Sequence, residues 1–266
     1  MPPDARTQWP SIHQLGADLL TLSAPARALV IVRPFVACAG YWLFAAAGWW
    51  PPALASLAAM MFLTYTSSSH DYVHRALGLP RWPNEVLLAL TELLGLRSGH
   101  AFRITHLHHH RRFPHEDDVE AYRAAQGFWR ALATAPGHQA RLFLWAWRRG
   151  GPDERRWMAI EAGAILGIAA VAVAVVPVAV YAVLVVTSGW LYPVATVWWP
   201  HRSSGESPVA HTRAFRGRLV PALFLHHTYH LEHHLYPMVA SVRWRALAER
   251  LDPHLRRAGV EPIRLP

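Results

Sequence analysis

The sequence predicts an all-α integral membrane protein, with four transmembrane helices in two hairpins and a cytoplasmic helical cap that carries three histidine clusters. Hydrophobic residues make up 53% of the 266 residues and charged residues only 16%, against about 25% charged in an ordinary soluble domain. All 26 basic residues are arginines, and they leave two long gaps, from Arg33 to Arg75 and from Arg156 to Arg202. Because the apolar runs fill these gaps, the formal charge of +9 indicates membrane topology rather than nucleic-acid binding.

The first predicted hairpin occupies the first gap. A helix needs about 20 apolar residues to cross a hydrocarbon core of about 30 Å. Residues 28–50 meet this length, with Arg33 near one end, where its long side chain can reach the membrane surface. Pro51 and Pro52 predict a turn, and residues 53–69 predict a second span that becomes polar as it leaves the membrane.

The second predicted hairpin occupies the second gap. Residues 158–199 contain one charged residue, Glu161, and are too long for a single span. They predict spans at 158–176 and 178–199, with a turn at Pro177.

Four spans place residues 70–157 and 200–266 on one side of the membrane, in one domain that covers 1–266. The predicted turns on the other side contain no arginine, so the positive-inside rule makes the large side cytoplasmic. Residues 85–96 are too short and too acidic for a span and predict an interfacial or buried helix. The N-terminus lacks signal-peptide features, and the arginine- and alanine-rich composition suggests a bacterial protein of the inner membrane.

Three histidine clusters begin close to predicted membrane exits or within the long cytoplasmic segment. Side chains three or four residues apart lie on one helical face, so each cluster is expected to converge: His70 with His74, His106 with His109 and His110, and His230 with His233 and His234. Eight imidazoles exceed the three protein ligands of a catalytic zinc ion, so two metal ions fit better. Imidazole binds Fe, Cu, Zn and Ni, and the ligand type alone does not choose among them.

The remaining histidines are expected to be less important. His13, His100, His138 and His254 stand alone and are expected to be solvated, whereas His108, His115, His211 and His227 are expected to be solvated or to neighbour a metal site. A zinc protease motif is missing, because His115-Glu116 is not followed by a second histidine at the required place. The single cysteine, Cys38, excludes a Cys-ligated iron–sulfur site and an intrachain disulfide.

The clusters read as HDYVH at 70–74, HLHHH at 106–110 and HLEHH at 230–234, the last within YHLEHHLYP. In their order, spacing and position relative to the spans, these motifs resemble the three histidine boxes of the membrane fatty-acid desaturase and hydroxylase superfamily. The resemblance covers most of residues 28–245.

The resemblance implies a non-haem di-iron centre that faces the cytoplasm and uses O2 to oxidise a C–H bond of a lipid. The eight box histidines would be iron ligands, and His201 matches a further ligand that some members place after the fourth span. Carboxylates in or beside the boxes would hold ligand imidazoles by hydrogen bonds; these are Asp71, Asp117, Asp118 and Glu232, although Asp118 is equally compatible with a solvated position. Electrons would come from a separate ferredoxin-like or cytochrome-like donor and its reductase.

Three functions are compatible with the sequence. The leading hypothesis is desaturation or hydroxylation of a fatty acyl chain. The second is ketolation or hydroxylation of a carotenoid ring, since some of those enzymes resemble the same superfamily. The third is a non-catalytic metal-binding or transport protein, which would require polar groups within the spans; the predicted spans contain no histidine.

Overall fold

The computed structural model describes residues 9–202, 205, 207–223 and 227–266, without the side chains of residues 65 and 66. The described chain is mostly helical. The helices before the second histidine box are α1 Ile12–Leu15, α2 Ala24–Ala46, α3 Trp50–Leu63, α4 Ser69–Val73 and α5 Arg81–Leu94. The second box lies on α6 Gly99–Arg112, which is followed by α7 Tyr122–Ala125, α8 Phe128–Thr134 and α9 His138–Arg149.

The second half begins with two long helices and ends in a short cap. Its helices are α10 Pro152–Ala172, α11 Val176–Ser188, α12 Pro208–His211, α13 Leu219–Leu223, α14 His230–Leu235 and α15 Trp244–Arg257. Short 3₁₀ turns cover Ala17–Leu20, Gly189–Leu191 and Ser241–Arg243. Strands β1 Phe215–Arg216 and β2 Ile263–Arg264 pair in parallel, with Phe215 opposite Ile263.

Two stretches of the described chain are helical, long and apolar enough to cross a membrane, Ala24–Ala46 and Val176–Trp198. They correspond to the first and fourth predicted spans. The second predicted span corresponds to α3, which is apolar but has only 14 residues. The third corresponds to α10, whose first turn is charged. Two helices of spanning character are thus present, and the arrangement with four spans stays a prediction.

Prolines begin helices in this chain, where the sequence predicts turns. Pro51 and Pro52 lie in the first turn of α3, and Pro177 lies in the first turn of α11. Proline suits this position because its fixed φ is helical and its missing N–H would have no intrahelical partner there. The first hairpin turns instead at Gly48, whose φ is 75°. The second turns at residues 173–175.

Each apolar hairpin leads into a π-helical segment and then into a candidate ligand. The segment Thr64–Ser68 follows α3 and precedes His70, and the segment Pro193–Trp198 precedes His201. Single π-helical turns are rare and frequently lie at functional sites. Arg33 donates to Ser67 in the first of these segments, and so turns toward the protein. Both candidate ligands therefore follow an apolar stretch and a π-helical segment.

Separate apolar cores pack the apolar helices and the C-terminal part of the chain. Tyr41, Leu57, Met60 and Tyr181 pack α2, α3 and α11 together. In the C-terminal part, α15 buries Trp244, Leu247, Leu251 and Leu255, which pack with Leu15 and Leu19 of the N-terminal segment and with Leu231 of the third box. The predicted helix at 85–96 is present as α5, and its inner face is buried.

Candidate metal centre

The three histidine boxes converge in the interior. His70 lies in α4, and His74 ends that helix as its C-terminal cap. His106, His109 and His110 come from the last two turns of α6, and His230, His233 and His234 from α14. The spacing argument explains why each helix presents its histidines together, since residues three and four apart share a face.

Eight of the nine candidate histidines form two groups of four. The first group is His74, His106, His110 and His233; the second is His109, His201, His230 and His234. Within each group, one ring nitrogen from every histidine lies within 4.8 Å of the others. Each group draws on at least two boxes, so the boxes do not correspond one to one with candidate metal positions.

The nitrogen spacing within each group suits a shared metal ion. In the first group, Nε2 of His110 lies 3.0 Å from Nε2 of His106 and 2.9 Å from Nε2 of His233. In the second, Nε2 of His234 lies 3.0 Å from that of His201 and 3.1 Å from that of His230. Metal–imidazole bonds of 2.0–2.1 Å would separate the nitrogens of a tetrahedral site by about 3.4 Å, which is close to these distances.

The two groups lie against each other. The ring centroids of His110, from the first group, and His234, from the second, are 4.4 Å apart. His109 and His234 of the second group are 5.1 Å apart, and His106 of the first group lies 5.7 Å from His109. The arrangement therefore offers two neighbouring positions within one buried cluster.

His70 is the candidate that stands outside both groups. Its ring is buried and lies 4.5 Å from His106 and 4.7 Å from His233 between ring centroids. Neither of its ring nitrogens has a hydrogen-bond partner among the described residues. A buried imidazole with two unsatisfied nitrogens costs free energy, so a bound metal ion at the edge of the first group would explain its position.

Burial keeps most of these imidazoles neutral. It is the main reason that the pKa values of His70, His106, His110, His201, His230, His233 and His234 all fall well below the usual 6.5, and neighbouring histidines lower them further. The pKa of His74 falls to about 3 for the same reason. A neutral imidazole has the free lone pair that a metal requires, so the cluster is set up for metal binding at neutral pH.

Two buried carboxylates orient histidines on α6. Oδ2 of Asp118 lies 2.7 Å from Nδ1 of His109, and Oε1 of Glu120 lies 3.1 Å from Nδ1 of His106. A carboxylate at Nδ1 favours the tautomer in which Nε2 is free to bind a metal. Burial lowers the pKa of His109, but Asp118 and Glu120 outweigh it and the pKa is raised. Burial raises the pKa of Glu120 to about 7, and the hydroxyl of Tyr192 donates to it over 3.0 Å.

The other predicted carboxylates contact different partners. Asp117, predicted to hold a ligand imidazole, is half exposed and pairs with Arg112 at 2.9 Å instead. Asp71 accepts hydrogen bonds of 2.7 Å from the backbone N–H and the hydroxyl of Ser241. Burial raises the pKa of Asp71 to about 6. Asp71 thus ties the first box to the chain that follows the third box.

Glu232, in the third box, holds that box in place. Its carboxylate is fully buried and lies 2.6 Å from the guanidinium of Arg216, which also pairs with Asp252 on α15. Burial raises the pKa of Glu232, although Arg216 opposes the rise. The carboxylate therefore points to β1 and α15, where it fixes α14 from behind.

Sequence reasoning missed Glu120 and misplaced two isolated histidines. Glu120 follows Asp118 by two residues, and the only signal for it was its place in the acidic run after the second box. His100 and His138, expected to be solvated, are 3% and 0% exposed. His211 and His227 are also buried, and His227 lies 5.2 Å from His230 between ring centroids.

The chain matches a known protein family over most of its length. The sequence profile of the fatty acid desaturases matches residues 47–265. The chain belongs to the fatty acid desaturase family. A search of curated proteins found no match. The part that matches the family contains all nine candidate histidines, and the family together with the two long apolar helices fits a membrane protein.

Proposed function

We propose that this protein is a membrane di-iron oxidoreductase that uses O2 and electrons from a separate donor to desaturate or hydroxylate a fatty acyl chain. The observation that supports this most strongly is the pair of adjoining four-histidine groups in a chain of the fatty acid desaturase family. The ring-centroid distance of 4.4 Å between His110 and His234 favours two ions that act together over two independent sites.

The two groups would each hold one iron ion, with His70 beside the first. Iron bound there would supply O2-dependent removal of hydrogen from an unactivated C–H bond, while two external electrons and two protons complete the reduction of O2 to water in desaturation. The chain's own contribution is to fix the imidazoles. Asp118 and Glu120 select the Nδ1–H tautomers of His109 and His106, and Asp71 and Glu232 fix the helices that carry the other ligands.

The proposal includes four spans in two hairpins, with the histidines at the cytoplasmic face of a bacterial inner membrane. The distribution of arginine supports it, because residues 34–74 and 157–201 contain none. An oily substrate could then reach the cluster from the membrane, and a water-soluble ferredoxin-like or cytochrome-like donor from the opposite side.

Cysteine labelling tests the topology. In a Cys38→Ala background, Ala47→Cys and Ala174→Cys place exposed thiols at the two hairpin turns, and Ala140→Cys places one on α9. We expect a membrane-impermeant maleimide to label positions 47 and 174 from the periplasm, and position 140 only after the cells are opened. Labelling of position 174 on the same side as position 140 would contradict two spans in the second half of the chain.

Lipid profiling tests the reaction. The protein would be expressed in a bacterial host with and without a carotenoid pathway, and His233→Ala would serve as the inactive control. New double bonds or hydroxyl groups in the acyl chains that are absent from the control would support the proposal. Oxygenated carotenoids with unchanged acyl chains would replace it with ring oxidation, and iron-free purified protein would contradict both.

A further inference from the structure

A groove of about 700 Å³ is lined mainly by residues of α5, α6 and α10. From α6 it is lined by His100, Arg103, Ile104 and Leu107, which follow the spacing of one helical face. The ligand candidates His106 and His109 lie on another face of the same helix. The groove thus adjoins the helix that carries the second box, and Arg75, which also lines it, follows the candidate ligand His74 in the chain.

The floor of the groove is a buried, hydrogen-bonded array. Nδ1 of His100 lies 2.8 Å from Glu161, and Nε2 of His100 lies 3.1 Å from Glu85. The indole of Trp157 stacks on the His100 ring, at 4.8 Å between centroids and an interplanar angle of 8°. The carboxylate of Glu85 also accepts hydrogen bonds from the guanidinium groups of Arg103 and, at 3.0 Å, of Arg75. The charges of the floor therefore compensate one another, and its side chains are fixed.

The rim of the groove carries charges of both signs that the protein leaves uncompensated. Four exposed charged residues line the groove: Arg81, Arg156, Asp153 and Glu154. None of the four forms an ion pair with another described residue, and the carboxylate of Glu154 accepts a hydrogen bond from the backbone N–H of Gly151. Asp153 and Arg156 are three residues apart on α10, so they lie side by side on one face. A ligand that carries a negative and a positive group close together would complement this rim.

The groove changes from charged to apolar along α10. Its contributions from this helix are Asp153, Glu154 and Arg156, then Trp157, and then Ile160, which is 56% exposed. Beyond residue 161 the helix is uncharged to its end. Tryptophan favours the boundary between head groups and hydrocarbon. A ligand that follows this gradient has a charged head and an apolar tail.

We propose that the groove binds the head group of a phospholipid that carries a phosphate and a free amine, such as phosphatidylethanolamine. Arg81 and Arg156 would contact the phosphate, Asp153 the ammonium, and Ile160 the start of an acyl chain. This rests on the proposed membrane orientation, which places the beginning of α10 at the level of the head groups. A phosphate suits two arginines because guanidinium groups donate several hydrogen bonds in one plane.

Native mass spectrometry of the detergent-purified full chain tests the site. The protein would be titrated with phosphatidylethanolamine, phosphatidylcholine and phosphatidylglycerol of the same acyl chains. We expect the wild type to bind phosphatidylethanolamine most tightly. Arg156→Gln should weaken binding of all three lipids by about tenfold, as expected for the loss of one charge-assisted hydrogen bond. Asp153→Asn should weaken phosphatidylethanolamine most, because its ammonium can donate hydrogen bonds to the carboxylate and the choline group cannot, so that its advantage over phosphatidylcholine disappears.

Arg148→Gln is the matched control, because Arg148 is an exposed arginine on α9 that does not line the groove. Equal affinity for the three lipids, or an equal effect of Arg156→Gln and Arg148→Gln, would overturn the proposal. Free phosphoethanolamine should compete only at concentrations far above those of the lipid; competition at equal concentration would overturn the role of the apolar end. Binding is measured without turnover, so an inactive enzyme that still shows the lipid preference would contradict the proposed function alone.

Discussion

The substitution Asp118→Asn tests whether Asp118, rather than its neighbour Asp117, orients a ligand histidine. The sequence made both residues candidates for this role, and the structure assigns it to Asp118. Oδ2 of Asp118 lies 2.7 Å from Nδ1 of His109, and both side chains are buried. Oδ1 accepts from the backbone N–H of Glu120 and Ala121 at 3.0 and 3.2 Å. An asparagine can keep these two backbone bonds with its oxygen, so it would then present its NH₂ group to His109.

That exchange changes the imidazole rather than the backbone. An NH₂ group donates to a ring nitrogen, so Nδ1 of His109 would have to accept and the ring proton would move to Nε2. Nε2 is the nitrogen that His109 would offer to a metal ion in the second group of four histidines. Substitutions of carboxylates that orient metal-bound histidines cost about 10- to 100-fold in metal affinity or activity, which is about 1.4 to 2.8 kcal/mol. We expect Asp118→Asn to lose iron by this factor while its helical content is unchanged.

Competition with a chelator measures the effect. Iron retained by the purified protein would be quantified across a chelator titration for the wild type, Asp118→Asn and Asp117→Asn. Asp117 is the matched control, because its side chain is 48% exposed and its partner is Arg112. We expect Asp117→Asn to stay within about twofold of the wild type, since exposed ion pairs contribute about 0–1 kcal/mol. Equal retention by the two variants would refute the tautomer argument.

Three further predictions concern stability and loading. Glu161→Ala should cost about 1–3 kcal/mol, because it leaves the buried Ser98 hydroxyl and the His100 ring without this acceptor. Glu161→Gln should cost less because it can still accept from Ser98; equal melting temperatures of the two variants in detergent would contradict this. Burial lowers the pKa of His138 to about 3, so unfolding takes up a proton below pH 6.5 and stability is lost as the pH falls from 6.5 toward 3. By pH 5 the free energy of unfolding should fall by about 2 kcal/mol. The melting temperature of His138→Gln should therefore decline less between pH 7 and pH 5 than that of the wild type. His109→Ala should abolish iron loading and leave membrane insertion intact, as membrane fractionation and iron analysis would show; a fully active variant would argue against the di-iron assignment.

The sequence predicted the histidine cluster well because helical periodicity is a local property. Residues such as His230, His233 and His234 share a face whatever the rest of the chain does. The pairing of boxes across the two groups was not predictable, because it depends on how α6 and α14 approach each other. His110 and His233 come together over a sequence separation of 123 residues, and no local pattern records that contact.

The carboxylates after the second box also show that a local pattern does not determine long-range contacts. Asp117 and Asp118 are adjacent and chemically identical, and only the path of the chain after α6 decides which one turns inward. That path places Asp118 against His109 and leaves Asp117 beside Arg112. The prediction that the hairpins turn at their prolines was wrong for another reason. Proline is common in turns and also in the first turn of a helix, so Pro51 and Pro177 located the turns only to within a few residues.

The second box depends on contacts at both ends of α6. Toward the C-terminal end, Asp118 and Glu120 fix the tautomers of His109 and His106. At the start of the helix, Ser98 caps its first turn and donates to Glu161, which also holds the ring of His100. Glu161 belongs to α10, the helix that we place in the membrane. Because one helix joins these contacts, we infer that α10 helps to position the candidate ligands, and this gives a structural role to the fully buried carboxylate of Glu161.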